Sequence, residues 1–312
     1  MTTSFHRSAI RLAAVLGLLL LALTPAAKAQ LNWEGQTGAF ATPFAYVASS
    51  ESGKIGHPEI GFHYLHGGDV LGDDYQFSVT VGLFKLSELG FTRSDSSFGS
   101  SPITGLFQGG YDTFHGKLNI IPENFHGKNW IPAISVGFAA RFEEERVARA
   151  PFAANLDSPL AGRSTNNADF YVVGTKTISQ IKHLPIVLSA GYKHTNASIM
   201  GIAGNAPDYA DLAFGAAAFV ITAPAKTSVI VGAEAVQEPH YLEGLYVSGV
   251  GGPTIPTTLV YFVRVVPNKL PFNVDVGVGQ IAGKITPGIE DVLPAVDLKA
   301  REQVAVGLSY RF

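Results

Sequence analysis

The sequence contains no cysteine, so its fold is held together without disulfide bonds. Only 15% of its residues are charged, and the formal net charge of −3 gives no electrostatic support for a nucleic-acid partner. Beyond residue 29 there is no run of about 18 apolar residues, which excludes a transmembrane helix in that part of the chain. Long amphipathic helical patterns are scarce too, whereas glycine (34 residues), phenylalanine (20) and tyrosine (11) are plentiful. The composition therefore favours an all-β chain.

The N-terminus has the parts of a secretory signal peptide in their usual order. Arg7 and Arg11 lie in a basic region, residues 13–24 form a short apolar core, and Ala27 and Ala29 are the small residues that precede a cleavage site. We predict that residues 1–29 are removed after Ala29 and that the mature chain is exported.

Much of the remaining chain alternates apolar residues with polar or small ones, the pattern of β-strands. In one segment, Phe77 and Val79 fall on one face while Gln76 and Ser78 fall on the other. The segments are about ten residues long, which matches the roughly 9–11 that a tilted strand needs to cross a bilayer and exceeds the usual five or six. The predicted strands are residues 59–66, 75–84, 87–93, 112–120, 133–142, 169–178, 186–195, 209–222, 228–237, 257–266, 272–280 and 303–312.

The connections between these strands alternate between long and short. Counted back from the C-terminus, residues 281–300 are a long connection, 267–271 a short one, 238–256 a long one and 223–226 a short one. Outer-membrane barrels have short periplasmic turns, long outer loops and an even number of antiparallel strands. The sequence therefore predicts an all-β, antiparallel transmembrane β-barrel of about 12 strands.

The stretch before the first predicted strand is too apolar for a free tail, because it includes Phe40 and Tyr46. It is compatible with three placements: a plug in the lumen, an extra strand, or packing at the periplasmic mouth. A plug favours gated or ligand-controlled transport over an open pore. We divide the chain into a signal peptide at 1–29, this N-terminal segment at 30–56 and a transmembrane β-barrel at 57–312.

The last ten residues, QVAVGLSYRF, place an apolar side chain at every second position: Val304, Val306, Leu308, Tyr310 and Phe312. This stretch resembles the C-terminal strand of Gram-negative outer-membrane β-barrel proteins. In that family the terminal Phe and the alternating apolar residues are read by the barrel-assembly machinery. The resemblance implies a porin-like barrel in the bacterial outer membrane, with membrane lipid and the assembly machinery as partners.

Charged residues on the polar faces of the strands are the main functional signal, and they are Arg141, Lys193, Glu234, Arg264, Asp275 and Arg311. Charges inside a barrel need water or partners. In one interpretation they pair and fill a narrow interior; in the other they line a water-filled pore, where the excess of basic residues favours anions. We predict a pore or transport channel for small solutes. The alternatives are a closed structural or adhesive barrel and, third, a lipid-modifying enzyme.

The sequence shows no catalytic or metal site. His194 and Ser189 belong to one predicted strand but fall on opposite faces, so they do not form a catalytic pair. His57, Glu59 and His63 share a face, but at about 3.3 Å per residue they span about 20 Å, too far for one metal ion. We predict no enzymatic activity, cofactor or metal. The sequence identifies neither the solute nor the oligomeric state.

Overall fold

The computed structural model describes residues 30–67, 72–97, 110–142, 166–179, 184–197, 209–238, 257–281 and 303–312. They form the strands β1 (Ile55–His66), β2 (Asp73–Leu83), β3 (Ser87–Ser96), β4 (Tyr111–Ile121), β5 (Ala133–Phe142), β6 (Asn167–Ile178), β7 (Ile186–Thr195), β8 (Ala210–Thr222), β9 (Ser228–Val236), β10 (Thr258–Val266), β11 (Phe272–Ile281) and β12 (Gln303–Arg311). Each strand pairs antiparallel with its neighbours in chain order, and β1 closes the barrel against β12. The predicted all-β antiparallel barrel of about 12 strands is confirmed. The signal peptide lies outside the described residues.

The strand boundaries agree with the sequence pattern along most of the barrel. The predicted strands 133–142 and 186–195 coincide with β5 and β7. The largest difference is at β1, which begins at Ile55 rather than at residue 59. The pairing of β1 with β2 shifts register between Ile55 and Pro58, where proline has no N–H to donate. The barrel therefore begins two residues before the predicted boundary at residue 57.

The outward faces of the strands form an apolar belt. Large exposed side chains on this belt include Phe77, Phe170, Tyr192, Val231, Tyr261 and Val306. The alternate positions face inward, are buried, and include many polar and charged residues. Because a closed barrel has no sheet edge and this one carries an apolar exterior, the architecture is that of a barrel that spans an outer membrane.

Short turns connect the strands at one end of the barrel. Phe84 and Lys85, between β2 and β3, have φ angles of 56° and 66°, which suits the tight turn of a two-stranded hairpin. Ala225 and Lys226, between β8 and β9, also have positive φ. The other end carries the longer connections, most of which lie outside the described residues. In the described part of the chain, no helix is long and apolar enough to span a bilayer.

Candidate functional site

Residues 30–49 run through the interior of the barrel, and we call them the plug. Their own backbone contacts form a compact fold: Leu31 bridges to Thr37, and the N–H of Trp33 donates to the carbonyl of Phe40 at 2.8 Å. Leu31 and Ala45 have no exposed surface. Many polar groups of the plug bind inward-facing residues of the wall, among them Glu88, Glu234 and Arg264.

Glu234 on β9 binds one loop of the plug. Its Oε1 accepts hydrogen bonds from the N–H of Phe40 at 2.7 Å and of Ala41 at 2.9 Å. Its Oε2 accepts from the N–H and the hydroxyl of Thr42, both at 2.6 Å. Consecutive backbone N–H groups that converge on one anion form a favourable binding concavity. The plug therefore wraps a loop around a buried carboxylate of the wall.

Glu88 and Lys117, on β3 and β4, form a second anchor. Their side chains are fully buried, and Lys117 Nζ lies 3.0 Å from Glu88 Oε1. Glu88 accepts hydrogen bonds from the N–H and hydroxyl of Thr37, at 3.0 and 2.7 Å, and from the N–H of Ala48 at 2.7 Å. Lys117 donates to the carbonyl of Thr37 at 2.7 Å. Neither residue is among the six candidates selected from the sequence, although each lies on the inward face of its strand.

Arg264 on β10 donates hydrogen bonds to backbone carbonyls of the plug. Its Nε donates to Asp275 Oδ1 at 2.6 Å, so one edge of the guanidinium is neutralised by the neighbouring strand. Its Nη1 and Nη2 donate to the plug carbonyls of Gly38 at 2.9 Å, Leu31 at 3.1 Å and Ala39 at 3.0 Å. A planar guanidinium can serve several acceptors at once, and here it joins wall and plug.

Arg141 on β5 makes a third charged contact with the plug. Its Nε donates to Glu34 Oε1 at 2.6 Å, and its Nη2 donates to Asp169 Oδ2 at 3.0 Å. Lys193 Nζ lies 3.8 Å from the same oxygen of Asp169. The side chain of Arg141 is fully buried, and Asp169 is nearly so.

Arg311 on β12 lies beside the C-terminal part of the plug. It donates through Nη2 to the carbonyl of Ser49 at 3.2 Å, and its Nε lies 3.8 Å from Glu59 Oε1.

All six charged residues selected from the sequence thus face the interior. Arg264 is paired with Asp275, and the other cations are paired with carboxylates outside this set of six, including Asp169 and Glu59. This pairing removes the basis for the anion preference that we inferred from those six residues alone.

Apolar side chains of the plug fill space that small wall residues leave open. Trp33, Phe40 and Phe44 form a buried cluster with Ala218, Val260, Phe262 and Ala305. Phe40 lies over Gly277, where an added Cβ would come within 3.1 Å of the ring. At Gly82 an added Cβ would collide with the carbonyl of Ala48. Glycines on the inward faces therefore allow the plug to approach the wall closely.

Tyr46 ties the plug to the turn between β4 and β5. Its hydroxyl donates to Glu123 Oε2 at 3.0 Å and lies 2.8 Å from Thr177 Oγ1. Burial raises the pKa of Tyr46 well above its usual value. The phenol therefore stays protonated and keeps its hydrogen bond at any physiological pH.

A cavity of about 50 Å³ remains between the plug and strands β5 to β9. Its lining includes Gln36 and Thr42 from the plug and Tyr171, Lys193 and Phe214 from the wall. A buried water needs roughly 10–15 Å³ of such volume, so the cavity has room for a few waters.

The outward faces carry two His–Asp pairs. His66 Nδ1 lies 2.7 Å from Asp73 Oδ1, and His194 Nδ1 lies 2.7 Å from Asp211 Oδ1. As predicted, Ser189 and His194 are on opposite faces, because Ser189 is buried and His194 is exposed. In the ranges covered by the structure, no group of three metal-ligating residues is arranged to hold an ion.

The C-terminal strand places its alternating apolar residues outward. Val304 and Val306 are 45% and 42% exposed, and Leu308 and Tyr310 continue the same face. Phe312 follows the end of β12, with its ring 5.0 Å from that of Tyr310. Its N–H donates to the carbonyl of Pro58 at 3.4 Å.

Comparisons with known proteins give matches among solved structures. No family model matches the chain, and no curated protein sequence matches it. The KdgM porin in complex with disordered oligogalacturonate is 9% identical, with 81% of this chain and 99% of that chain covered and a TM-score of 0.45. The COG4313 outer membrane channel from Pseudomonas putida F1 is 12% identical, with 87% and 100% covered and a TM-score of 0.46. LpxR from Salmonella typhimurium is 10% identical, with 81% and 100% covered and a TM-score of 0.46. At these identities the similarity concerns the barrel fold alone.

Proposed function

We propose that this protein is an outer-membrane channel for small solutes and that its N-terminal plug holds it closed. The observation that carries the proposal is the set of polar contacts between plug and wall. Glu88, Glu234 and Arg264 each bind several plug groups, and all three side chains are buried. The strands pair with one another around the whole barrel without any contribution from the plug.

The chemistry of these contacts supports a plug that leaves without loss of the barrel. The hydrogen bonds and ion pairs of the interface can exchange for bonds to water, whereas its apolar part, in which plug aromatics pack against Val260 and Phe262, opposes withdrawal. If the plug withdraws, Glu234 and Arg264 become hydrated wall charges, and the lumen becomes a polar, water-filled passage. A closed structural barrel does not need a separate plug segment, because narrow barrels fill their interior with side chains of their own strands.

The barrel fold also supports a proposed location in the outer membrane and proposed partners. The chain enters the outer membrane after removal of residues 1–29, and its apolar belt contacts the lipid. The assembly machinery recognises Val304, Val306, Leu308, Tyr310 and Phe312. In this proposal the protein is not an enzyme and has no cofactor.

Single-channel recording in planar bilayers tests the proposal. The full-length mature protein is compared with a variant that lacks residues 31–49 and keeps Ile55 and all of β1. We expect few or no openings from the full chain and steady conductance from the deletion variant. The matched control is Glu51→Ala, which removes an exposed carboxylate just beyond the plug and should leave the channel closed. A deletion variant that folds as a heat-modifiable barrel yet never conducts would favour the closed structural barrel.

A further inference from the structure

Glu234 differs from the other buried carboxylates of the strands, because no cation among the described residues forms a salt bridge with it. In Glu59, Glu88, Asp169 and Asp275, a carboxylate oxygen lies 2.6 to 3.8 Å from a lysine or arginine nitrogen. Glu234 is 2% exposed, and the hydrogen bonds that it accepts come from neutral groups of the plug. A buried charge needs compensation, and here the plug supplies it.

The wall beside Glu234 is apolar. Its inward-facing neighbours in register are Ala216 on β8 and Val260 on β10. The ring of Phe262 lies over Gly232, the next inward-facing position of β9. A carboxylate on such a wall combines an acceptor for a positive charge with a surface that packs against a hydrocarbon body.

The plug loop presents the complementary pair of features. The N–H groups of Phe40, Ala41 and Thr42 converge on the Glu234 carboxylate. The ring of Phe40 packs in the same apolar cluster as Val260. The loop therefore places positively polarised groups on the carboxylate and an aromatic ring on the apolar wall.

We propose that Glu234 and the apolar wall beside it form a binding site for a small organic cation, an ammonium group on an apolar body, and that the plug loop occupies this site in the closed channel. The inference rests on the proposed function, since the site opens when the plug withdraws. The other four buried strand carboxylates keep their lysine or arginine partners in the wall. A cation of this class binds the open state and not the closed one, so it shifts the equilibrium towards the open channel.

The exposure of Trp33 tests the proposal in the full-length mature protein. Of the two tryptophans, Trp33 in the plug is 9% exposed and Trp130 in the turn between β4 and β5 is 74% exposed. With Trp130→Phe, in liposomes, acrylamide quenching of fluorescence measures the exposure of Trp33 alone. We expect benzylammonium to increase this quenching, because it raises a small open fraction about twofold once its concentration equals the dissociation constant of the open site.

Three solutes and three variants serve as controls. Benzyl alcohol lacks the charge, methylammonium lacks the apolar body and benzoate has the opposite charge, so none of them should increase the quenching. Glu234→Gln should abolish the response to benzylammonium, whatever its own level of quenching, and Glu234→Asp should retain a response. Glu51→Gln changes an exposed carboxylate outside the site and should match the parent protein. An effect of benzylammonium on the lipid would appear in all variants alike.

Three results would overturn the proposal: no response to benzylammonium, equal responses to benzylammonium and benzyl alcohol, or a response that persists in Glu234→Gln. If Glu234→Gln does not fold, the comparison of the four solutes on the parent protein decides. Single-channel recording of the protein without residues 31–49 judges the channel separately. Conductance there without a response of Trp33 to benzylammonium would reject the cation site and keep the plugged channel.

Discussion

Arg264 on β10 and Asp275 on β11 lie opposite each other in register and form a two-point ion pair inside the barrel. Nε lies 2.6 Å from Oδ1, and Nη2 lies 3.0 Å from Oδ2. The same guanidinium donates to the carbonyls of Leu31, Gly38 and Ala39. The ion pair therefore belongs both to the wall and to the anchoring of the plug, and a change at either residue should affect both.

Arg264→Met should destabilise the folded protein by about 3–5 kcal/mol, because it leaves Asp275 as a buried charge without its partner. Urea unfolding in liposomes measures the free energy of unfolding. The control is Arg93→Met, which breaks exposed pairs of an outward-facing arginine that is 38% exposed and should cost at most about 1 kcal/mol. Adding Asp275→Asn to Arg264→Met should restore part of the stability. Equal effects of Arg264→Met and Arg93→Met would show that the inner pair is hydrated.

Glu234→Gln should loosen the plug while the barrel stays folded. The glutamine amide has the size of the carboxylate, but it loses the charge and turns an NH₂ group towards the N–H groups of Phe40, Ala41 and Thr42. Each charge-assisted hydrogen bond of this kind contributes about 1.5–3 kcal/mol. We expect brief openings in bilayer recordings of the full-length variant, at the conductance of the plug-deleted protein. A variant that stays as silent as the wild type would mean that Glu234 does not anchor the plug.

The sequence predicted the wall better than the plug for a physical reason. Strand residues alternate between lipid and lumen, so β5 and β7 could be delimited from local pattern alone. The plug has no repeating pattern, since its contacts join residues far apart in sequence: Thr42 binds Glu234, 192 positions away. Glu88 was overlooked because β3 alternates weakly, although its position on the inward face of that strand was a usable signal.

Val231→Arg should destabilise the barrel by about 2–4 kcal/mol, because it places a charge in the middle of the apolar belt. Val231 is 40% exposed and pairs with Val263 at mid-strand. The matched control is Leu270→Arg, in the short turn between β10 and β11, where the same change should cost about 0–1 kcal/mol. Gly232 is unsuitable as a control, because an added Cβ would lie 2.6 Å from the ring of Phe262. Unfolding in liposomes compares the variants, and equal penalties would contradict the assignment of the lipid-facing surface.

Phe312→Ala should reduce assembly into the outer membrane far more than it reduces the stability of protein that has already folded. Phe312 follows the last residue of β12, keeps its backbone hydrogen bond to Pro58 in the variant, and has its side chain against Tyr310. Loss of that ring contact should change the free energy of unfolding by about 0.5–1 kcal/mol. The terminal aromatic instead completes the alternating stripe that the assembly machinery is proposed to recognise. Heat-modifiable protein in outer-membrane fractions measures assembly, and unfolding of the refolded variant measures stability.

The matched control for Phe312→Ala is Phe125→Ala, which removes an exposed aromatic ring from the turn between β4 and β5. Because Phe125 is not part of the C-terminal stripe, its loss should leave the membrane yield unchanged. A normal yield of Phe312→Ala would reject the assembly role. A yield that falls equally in both variants would point to a general loss of aromatic contacts at this end of the barrel. The C-terminal signal requires that the yield falls only for Phe312→Ala, while its free energy of unfolding changes by no more than about 1 kcal/mol.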